Sequence, residues 1–267
     1  MAKLPFRVDP EKYLTSNKNQ ASKMLERICK KYYQDKEVTK MIEAAFEKLS
    51  SRGHLVFWED VSEQEKIILK RAAVSYYIPW DISFSGSIST PARLTFNASK
   101  NTPNGTSLND VLVRGVPNLV KLLHMILGWV CGPEAISGDI SQFYNAVLLH
   151  PEHLPYQRFL YKKGLDPNAE TIEGIIKTLI YGVRSVSSQT ETLVRRISEE
   201  IEETHPLVAF FLAKCRYVDD LAKGVENKNV AKYIMKTVDQ VLQNHHMHVK
   251  GWAMSNEKPN KKYHKMV

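Results

Sequence analysis

The sequence predicts an α+β fold in which an antiparallel sheet is backed by helices. Segments with apolar residues at helical spacing alternate along the chain with shorter segments rich in aromatic and β-branched residues. Turn-forming residues separate the short segments, as they do in hairpins. With 267 residues, the chain can bury a substantial core, as one large domain or as two packed subdomains.

Two amphipathic helices are predicted at the start of the chain. Residues 17–33 carry apolar side chains three and four positions apart, with basic residues outside that stripe. Residues 38–49 repeat the pattern, and Gly53 is a suitable stop. The basic faces are expected to meet solvent, although a phosphate backbone is an alternative partner.

A β-hairpin is predicted next. Residues 74–80 and 92–97 have strand composition, and residues 83–90 between them are rich in Ser and Gly, which favours a turn. Arg93 alternates with its apolar neighbours, so its guanidinium is expected on the opposite strand face. There it could bind phosphate groups or pair with a surface carboxylate.

Helices and strands then alternate towards the end of the chain. The predicted helices are residues 107–115, 118–130, 188–203 and 230–243, and the predicted strands are residues 157–161, 175–181 and 249–252. One apolar set in the second of these helices is expected to form core under the sheet: Leu119, Leu122, Leu123, Ile126, Leu127 and Val130.

An acidic pair interrupts the apolar residues 211–222. That run is predicted as a buried strand broken by Asp219 and Asp220, which would lie at the tight turn of a hairpin. Two adjacent carboxylates repel each other, and a bound cation removes the penalty. A solvated Asp-Asp turn is the simpler alternative for the dipeptide alone.

A third acid lies in a similar environment eighty positions earlier. Asp139 belongs to the apolar run of residues 136–144, where Ile140, Gln142 and Tyr144 are expected on one strand face. If the strands that carry these acids are neighbours, their carboxylates meet. In a two-metal phosphoryl-transfer site, a few carboxylates and the substrate phosphates together hold the metal ions.

The overall charge favours an acidic partner. The chain has 37 Lys and Arg against 29 Asp and Glu, a net charge of +8 and a pI near 9.2. Nucleic acid is the leading candidate, although many basic proteins bind none. Cys29, Cys131 and Cys215 are too widely separated for a metal motif or a disulfide framework, which fits a reducing compartment.

No membrane or secretory segment is predicted. No run approaches the ~18 apolar residues of a membrane span, and the first residues lack the apolar core of a secretory signal. An intracellular, cytoplasmic protein is therefore expected, without a membrane partner. The histidines at positions 245, 246 and 248 form a cluster that is either a metal site or surface residues.

A set of motifs occurs in a characteristic order along the chain. The motifs are Ala92-Arg-Leu-Thr-Phe-Asn-Ala-Ser99, Gly105-Thr-Ser-Leu-Asn-Asp110, Asp139-Ile-Ser-Gln-Phe-Tyr144, Gln157-Arg-Phe-Leu160, Tyr181-Gly182, Tyr217-Val-Asp-Asp-Leu221 and Lys250-Gly-Trp252. In this order they resemble the reverse transcriptase domain of BEL/Pao-type LTR retrotransposon polyproteins. Each motif alone is weak, whereas the ordered set over residues 76–256 is specific.

The resemblance implies a fold of reverse-transcriptase fingers and palm, with thumb and RNase H absent. It assigns residues 1–72 to a helical segment preceding the polymerase, 73–135 to a fingers-like region, 136–256 to the palm with its catalytic aspartates, and 257–267 to a polar tail. Because nothing resembling a thumb follows Trp252, a fragment of a polyprotein or a degenerate copy is expected.

The resemblance also implies roles for individual residues. Asp139, Asp219 and Asp220 would be the catalytic acids and would hold two Mg²⁺ ions, or Mn²⁺ in their place, with help from the Ile140 carbonyl. The implied nucleotide-binding residues are Arg93 on the triphosphate, Ile140, Tyr144 as a gate against a 2′-hydroxyl, Tyr181 and Gly182 lining the pocket, and Lys250 near the leaving pyrophosphate.

The implied function is that of an RNA-directed DNA polymerase, a nucleotidyltransferase that adds deoxynucleotides to a primer 3′ end. Its partners would be an RNA or DNA template with a DNA primer and deoxynucleoside triphosphates; the sequence leaves the oligomeric state open. Asn97 and the Val186-Ser187 pair depart from the family pattern beside the nucleotide pocket. A domesticated or decayed copy that binds nucleic acid or a protein without catalysis is therefore an alternative, as is another metal-dependent phosphotransferase.

Overall fold

The computed structural model describes residues 1–84, 91–116 and 119–255. The helices within these residues are α1 (Pro10–Tyr13), α2 (Lys18–Tyr32), α3 (Lys36–Ser50), α4 (Glu63–Arg71), α5 (Leu108–Val111), α6 (Leu122–Val130), α7 (Val186–Glu200), α8 (Pro206–Lys214) and α9 (Lys228–Asn244). The strands are β1 (Leu55–Phe57), β2 (Trp80–Phe84), β3 (Ala92–Phe96), β4 (Glu134–Ile140), β5 (Arg158–Tyr161), β6 (Ile172–Ile176), β7 (Arg216–Tyr217), β8 (Asp220–Val225) and β9 (Val249–Met254).

The chain forms two compact units, each built from two stretches of sequence. The first unit comprises residues 1–114 and 147–186, and the second comprises residues 115–146 and 187–267. The chain therefore passes from one unit to the other three times. The family-based division at residues 72 and 135 follows the linear order of the chain, whereas these units are defined by contacts.

The first unit contains a three-stranded antiparallel sheet and a hairpin. The sheet has the order β1-β6-β5, and β2 pairs with β3. Phe46 of α3 lies at the centre of an aromatic core. Its ring centroid is 4.7 Å from that of Tyr161, 4.8 Å from that of Trp80 and 5.6 Å from that of Phe159. This burial explains the predicted apolar stripe of the helix.

A buried asparagine joins the start of α2 to the segment before β2. Asn17 is fully buried; its side-chain amide donates to the carbonyl of Tyr77 and its oxygen accepts from the Tyr77 amide, both at 2.7 Å. Lys18 pairs with Glu173 of β6 at 2.5 Å, and the hydroxyl of Tyr77 donates to the same carboxylate. The helix is therefore an integral part of the first unit.

The second unit is a four-stranded antiparallel sheet with helices. Its order is β7-β8-β4-β9. Helix α9 buries one face, formed by Ala231, Ile234, Thr237, Val238, Val241 and Leu242. The alternation of helices with strands that pair only antiparallel within these sheets confirms the α+β class.

Several predicted elements are confirmed with small shifts. Helices α2, α3, α7 and α9 and strands β5 and β9 lie where the patterns placed them. The hairpin β2–β3 also forms, but its first strand begins at Trp80 rather than Val74, so residues 74–79 all precede it. On α7, Val194 and Ile197 are buried and Leu193 is half-buried, as is Ile201 just after the helix.

The strand predicted over residues 211–222 is wrong in its first part. Residues up to Lys214 belong to α8, which begins with Pro206 in its first turn. A short apolar run alone does not distinguish a buried strand from a buried helix. Proline is common in the first turn of a helix, so Pro206 was the residue that favoured the helix. The strand-like run predicted over residues 136–144 is also too long. It ends at Ile140, because Gln142 has a left-handed φ of +48°.

The prediction that the apolar set of α6 forms core is also wrong. Leu122, Leu123, Ile126, Leu127 and Val130 are between 42% and 66% exposed, whereas Met125 is buried. A Cβ atom on Gly224 of β8 would lie 2.9 Å from the carbonyl oxygen of Trp129. The helix thus approaches the sheet closely over a glycine, and its leucine face points outward.

Three predictions fall wholly or partly on residues that the structure does not describe. They are the turn predicted over residues 83–90, the start of the helix predicted over residues 118–130, and the polar tail predicted over residues 257–267. Among the helices of the described ranges, none combines the length and the hydropathy that a bilayer crossing needs.

The Asn17 contact predicts a loss of stability. Asn17→Ala should lower the free energy of unfolding by about 2 kcal/mol, because the buried main-chain N–H and C=O of Tyr77 lose their partners. Urea denaturation measures the change. Asn19→Ala, at an exposed position of the same helix, should change stability by less than about 0.5 kcal/mol. Equal losses in the two variants would contradict the assignment.

Candidate functional site

Two of the three predicted acids lie directly opposite each other. Asp139, near the end of β4, pairs with Asp220, the first residue of β8, and the Ile140 amide donates to the Asp219 carbonyl at 2.8 Å. Side chains of directly paired residues share one face of a sheet, with Cβ atoms about 5 Å apart. The antiparallel register therefore brings the two acidic segments together.

The inward and outward faces of β4 explain where Asp139 points. Ile136 and Ile140 are buried, and a Cβ atom on Gly138 would lie 2.8 Å from the Trp252 ring, so this alternating set faces the core. Because successive side chains of a strand alternate, Asp139 points to the other face. Its side chain is half-buried there.

Asp219 lies in the tight turn that connects β7 with β8. Tyr217 pairs with Asp220, so Val218 and Asp219 are the two loop residues. Val218 has a left-handed φ of +56°. A positive φ at the first loop residue is the feature of a type II′ turn, a position that glycine usually occupies. Asp219 therefore lies in the predicted hairpin turn, whereas Asp220 is the first strand residue after it.

The electrostatics of the pair are unfavourable for two negative charges. Partial burial raises the pKa of Asp220, and the neighbouring charge of Asp219 raises it further. Both causes act against ionisation of Asp220. A cation or a positively charged ligand at this end of the sheet would relieve the repulsion.

The donor chemistry suits a hard divalent cation, whose preferred ligands are carboxylate and carbonyl oxygens. Within the described ranges, however, no three or more His, Cys, Asp or Glu side chains are grouped so as to hold a metal ion. Mg²⁺ in phosphoryl-transfer sites commonly uses one or two carboxylates together with substrate phosphates and water. Asp139 and Asp220, facing each other, fit that smaller requirement.

Further residues predicted for the site lie in the same unit. Tyr144 is half-buried, and its ring centroid is 5.6 Å from that of buried Phe143. The pairings of β4 with β9 join Gly138 to Trp252 and Ile140 to Val249. Lys250 and Gly251 therefore oppose the single residue Asp139 in a β-bulge, and the Lys250 side chain is exposed. Bulges often redirect side chains beside functional sites.

The remaining predicted residues lie in the first unit. Arg93 of β3 is exposed and pairs with Ser83. On the same strand Phe96 is buried and Leu94 is half-buried. Tyr181 is 77% exposed. Gly182 has a φ of +105°, and a Cβ atom there would lie 2.2 Å from the Phe96 carbonyl oxygen. Only glycine fits this conformation and this close approach.

Asn109 holds the segment that contains Gly182, and sequence analysis did not single it out. Its side-chain nitrogen donates to the Gly182 carbonyl at 2.9 Å and to the Ser99 hydroxyl at 2.8 Å. Its oxygen accepts from the Arg184 amide at 2.8 Å. Asn109 is buried and lies two positions after Ser107, the N-cap residue of α5. A buried side-chain amide needs hydrogen-bond partners, so its place beside a helix cap was the available sign of its role.

Two more residues that the sequence patterns missed are Arg216 and Glu191, which form a buried ion pair beside the acidic turn. Arg216 directly precedes Tyr217, so a charge stands inside an apolar run. Glu191 lies three positions before Val194, on the buried face of α7. A charge on an apolar stripe usually has a partner, but the sequence does not say which.

The histidines contribute no metal group in the described ranges. His245 lies 3.5 Å from a Glu200 carboxylate oxygen, and His246 has a left-handed φ of +59° at the end of α9. His248 is exposed. Its carbonyl accepts from the Ser141 amide, just beyond the end of β4.

A scan of the sequence against protein-family models returned no match, and a search of curated proteins returned none either.

The raised pKa of Asp220 predicts a pH-dependent stabilisation. Asp220→Asn should raise the thermal midpoint at about pH 7 without divalent cations. The folded-state pKa lies above the ordinary 3.8, so ionised Asp220 destabilises the fold, and protonation removes that cost. The gain should shrink towards about pH 4. Calorimetry measures it, with Asp60→Asn, at an exposed site, as control. A gain independent of pH would contradict the prediction.

The contacts of Asn109 predict a local loosening. Asn109→Ala should speed amide exchange in residues 182–184 by about tenfold, since each lost hydrogen bond is worth about 1 kcal/mol. Hydrogen-exchange mass spectrometry measures the rate. Asn101→Ala, at an exposed position of the same unit, should leave the rate unchanged. An unchanged rate in Asn109→Ala would show that other contacts hold the segment.

Proposed function

We propose that this chain is a reverse transcriptase module, an RNA-directed DNA polymerase of the BEL/Pao type with fingers and palm. It would add deoxynucleotides to the 3′ end of a DNA primer paired with an RNA or DNA template. The proposal joins the ordered motifs of the sequence with the positions of the acids in the second unit.

The observation that carries the proposal is the cross-strand pair Asp139–Asp220 beside the turn residue Asp219. Acids from two segments eighty positions apart in sequence converge at one end of a sheet. A solvated Asp-Asp turn, the simpler alternative, would not require a third acid opposite it. Asp139 points away from the core face of β4, to the same face of the sheet as Asp220, with which it is paired.

The carboxylates of Asp139, Asp219 and Asp220, with the main-chain carbonyl of Ile140, would hold two Mg²⁺ ions, for which Mn²⁺ is a substitute. When bound, these ions supply activation of the primer hydroxyl and stabilisation of the leaving pyrophosphate. The chain itself orients the acids through the register of β4 and β8. Partial burial and, after it, the charge of Asp219 raise the pKa of Asp220, and a bound cation would offset both effects.

Other residues would bind the nucleotide. In this proposal the guanidinium of Arg93 binds the triphosphate, Tyr181 and Gly182 line the pocket, and Tyr144 lies under the sugar and excludes a 2′-hydroxyl. Lys250, opposite Asp139 in the bulge of β9, donates a proton to the leaving pyrophosphate. The net charge of +8 suits binding of a nucleic-acid duplex.

Primer extension tests this function directly. The full chain with Mg²⁺, deoxynucleotides and a primed RNA template should extend the primer. Asp139→Asn and Asp219→Asn should each lower the rate of extension by at least about 100-fold, because each removes a carboxylate that would hold Mg²⁺. Asp60→Asn, in the first unit, should retain the parent rate.

The alternatives give different results in the same assay. A chain that binds the primed template without Asp219-dependent extension is a non-catalytic copy, and the polymerase proposal is then wrong. Nucleotide turnover without a template indicates another phosphotransferase. As an independent readout, Mg²⁺ should raise the thermal midpoint of the parent more than that of Asp219→Asn, because a ligand bound only by the folded state stabilises it.

A further inference from the structure

A single guanidinium connects four segments around the acidic turn. Arg216 forms a two-pronged ion pair with Glu191 of α7, at 2.8 Å and 2.6 Å, and the two side chains are only 4% and 6% exposed. Its Nε donates to the Leu212 carbonyl at 3.4 Å, in the last turn of α8. Its Nη1 also donates to the carbonyl of Val218, inside the turn itself.

The same side chain contacts the other acidic segment. The guanidinium carbon lies 5.3 Å from the ring centroid of Phe143, which is buried four positions after Asp139. Arg216 therefore contacts both the loop that leaves β4 and the turn that carries Asp219. Together with the hydrogen bond from the Ile140 amide to the Asp219 carbonyl, it ties the two acidic segments to each other.

The turn needs such a contact because its conformation is unfavourable for its sequence. Val218 is β-branched and has a φ of +56°, in a region where residues other than glycine are strained. The adjacent carboxylates of Asp219 and Asp220 repel each other. A strained residue next to like charges persists only when its surroundings hold it in place.

Stability alone is a weak reason for the ion pair. Removing two charges from water costs about as much as their attraction returns, and buried pairs can often be replaced by apolar side chains without loss. A planar guanidinium, however, can satisfy a carboxylate with one edge and still donate to a carbonyl. Arg216 uses this property, because its Nη1 donates both to the Glu191 carboxylate and to the Val218 carbonyl.

We propose that Arg216, held by Glu191, is a positioning residue that fixes the Val218–Asp219 turn and so the carboxylates of Asp219 and Asp220. The inference rests on the proposed polymerase function for its catalytic consequence. Arg216 does not touch substrate in this proposal. It acts through the Val218 carbonyl and Phe143 on the groups that do.

The first test replaces the whole pair. Arg216→Met combined with Glu191→Leu removes both charges, so neither is left buried alone. The variant should keep its thermal midpoint within about 5 °C of the parent. Amide exchange in residues 218–220 of the metal-free protein should become about tenfold faster, whereas exchange at the centre of β4 should not change.

Activity provides the second readout. With Mg²⁺ and a primed template, kcat should fall by about 10- to 100-fold while KM for the deoxynucleotide stays unchanged, as expected when catalytic groups are misplaced but binding groups are intact. Arg195→Met with Glu199→Leu is the matched control. That pair lies on the same helix at 3.6 Å and is 58% and 59% exposed, so its removal should change neither exchange nor kcat.

A third variant tests the inference even if the double variant does not fold. Arg216→Lys keeps the charge for Glu191 but lacks the planar fork that also reaches Val218. It should fold, exchange faster at residues 218–220 and lose part of kcat. A folded Arg216→Lys protein with parental exchange and kcat would overturn the inference.

The exchange readout separates this inference from the proposed function. If the parent extends no primer, the polymerase proposal fails, and the exchange rates at residues 218–220 alone decide whether Arg216 positions the turn. If the parent is active and the double variant has parental kcat and exchange, the positioning role is wrong and the polymerase proposal stands. Faster exchange with unchanged kcat would also contradict the catalytic consequence.

Discussion

The antiparallel register between β4 and β8 is the constraint on which the acidic end of the second unit depends. A slip by one residue would turn every side chain of β4 to the opposite face and separate Asp139 from Asp220. The core fixes this register. Ile136 and Ile140 are 0% and 1% exposed, and Trp252 packs where Gly138 has no side chain. The Trp252 indole donates to Asp239 of α9 at 3.0 Å, which holds the ring in place. Apolar burial on one face thus decides where the charges lie on the other.

The acidic turn combines two features that each oppose folding. One is the left-handed backbone of Val218, and the other is the charge of Asp220, whose pKa is raised by partial burial and then by the neighbouring charge of Asp219. Natural proteins retain such strain where the rest of the structure over-determines it, and these places are often functional. Here the surrounding contacts come from α7, the end of α8 and the loop after β4, through the buried pair of Arg216 and Glu191. The cost is local, whereas the contacts that offset it are spread over the unit.

The parts of the fold that the sequence predicted share a regular pattern with one buried face. Helices α2, α3 and α9 have apolar stripes long enough to identify both their type and their extent, and the outward direction of Arg93 follows from strand alternation. Helix α8 was missed because a short, uniformly apolar run has no period to read. The exposed face of α6 was missed because periodicity identifies an apolar face but not its partner. A close approach of Gly224 to the Trp129 carbonyl selected the other face instead. Arg216 and Glu191 lie 25 positions apart, so no local pattern could pair them.

The N-terminal helices are integral parts of the first unit. The buried amide of Asn17 pairs with the main chain of Tyr77, and Lys18 and Tyr77 meet on Glu173, which also pairs with Arg158. These contacts fix the strands of the first unit, which contains Arg93 and Gly182. The packing of Phe46 of α3 against Trp80 and Phe159 also holds these strands in place. Because α2 and α3 contribute to the core and satisfy buried main-chain groups, their contacts stabilise the first unit.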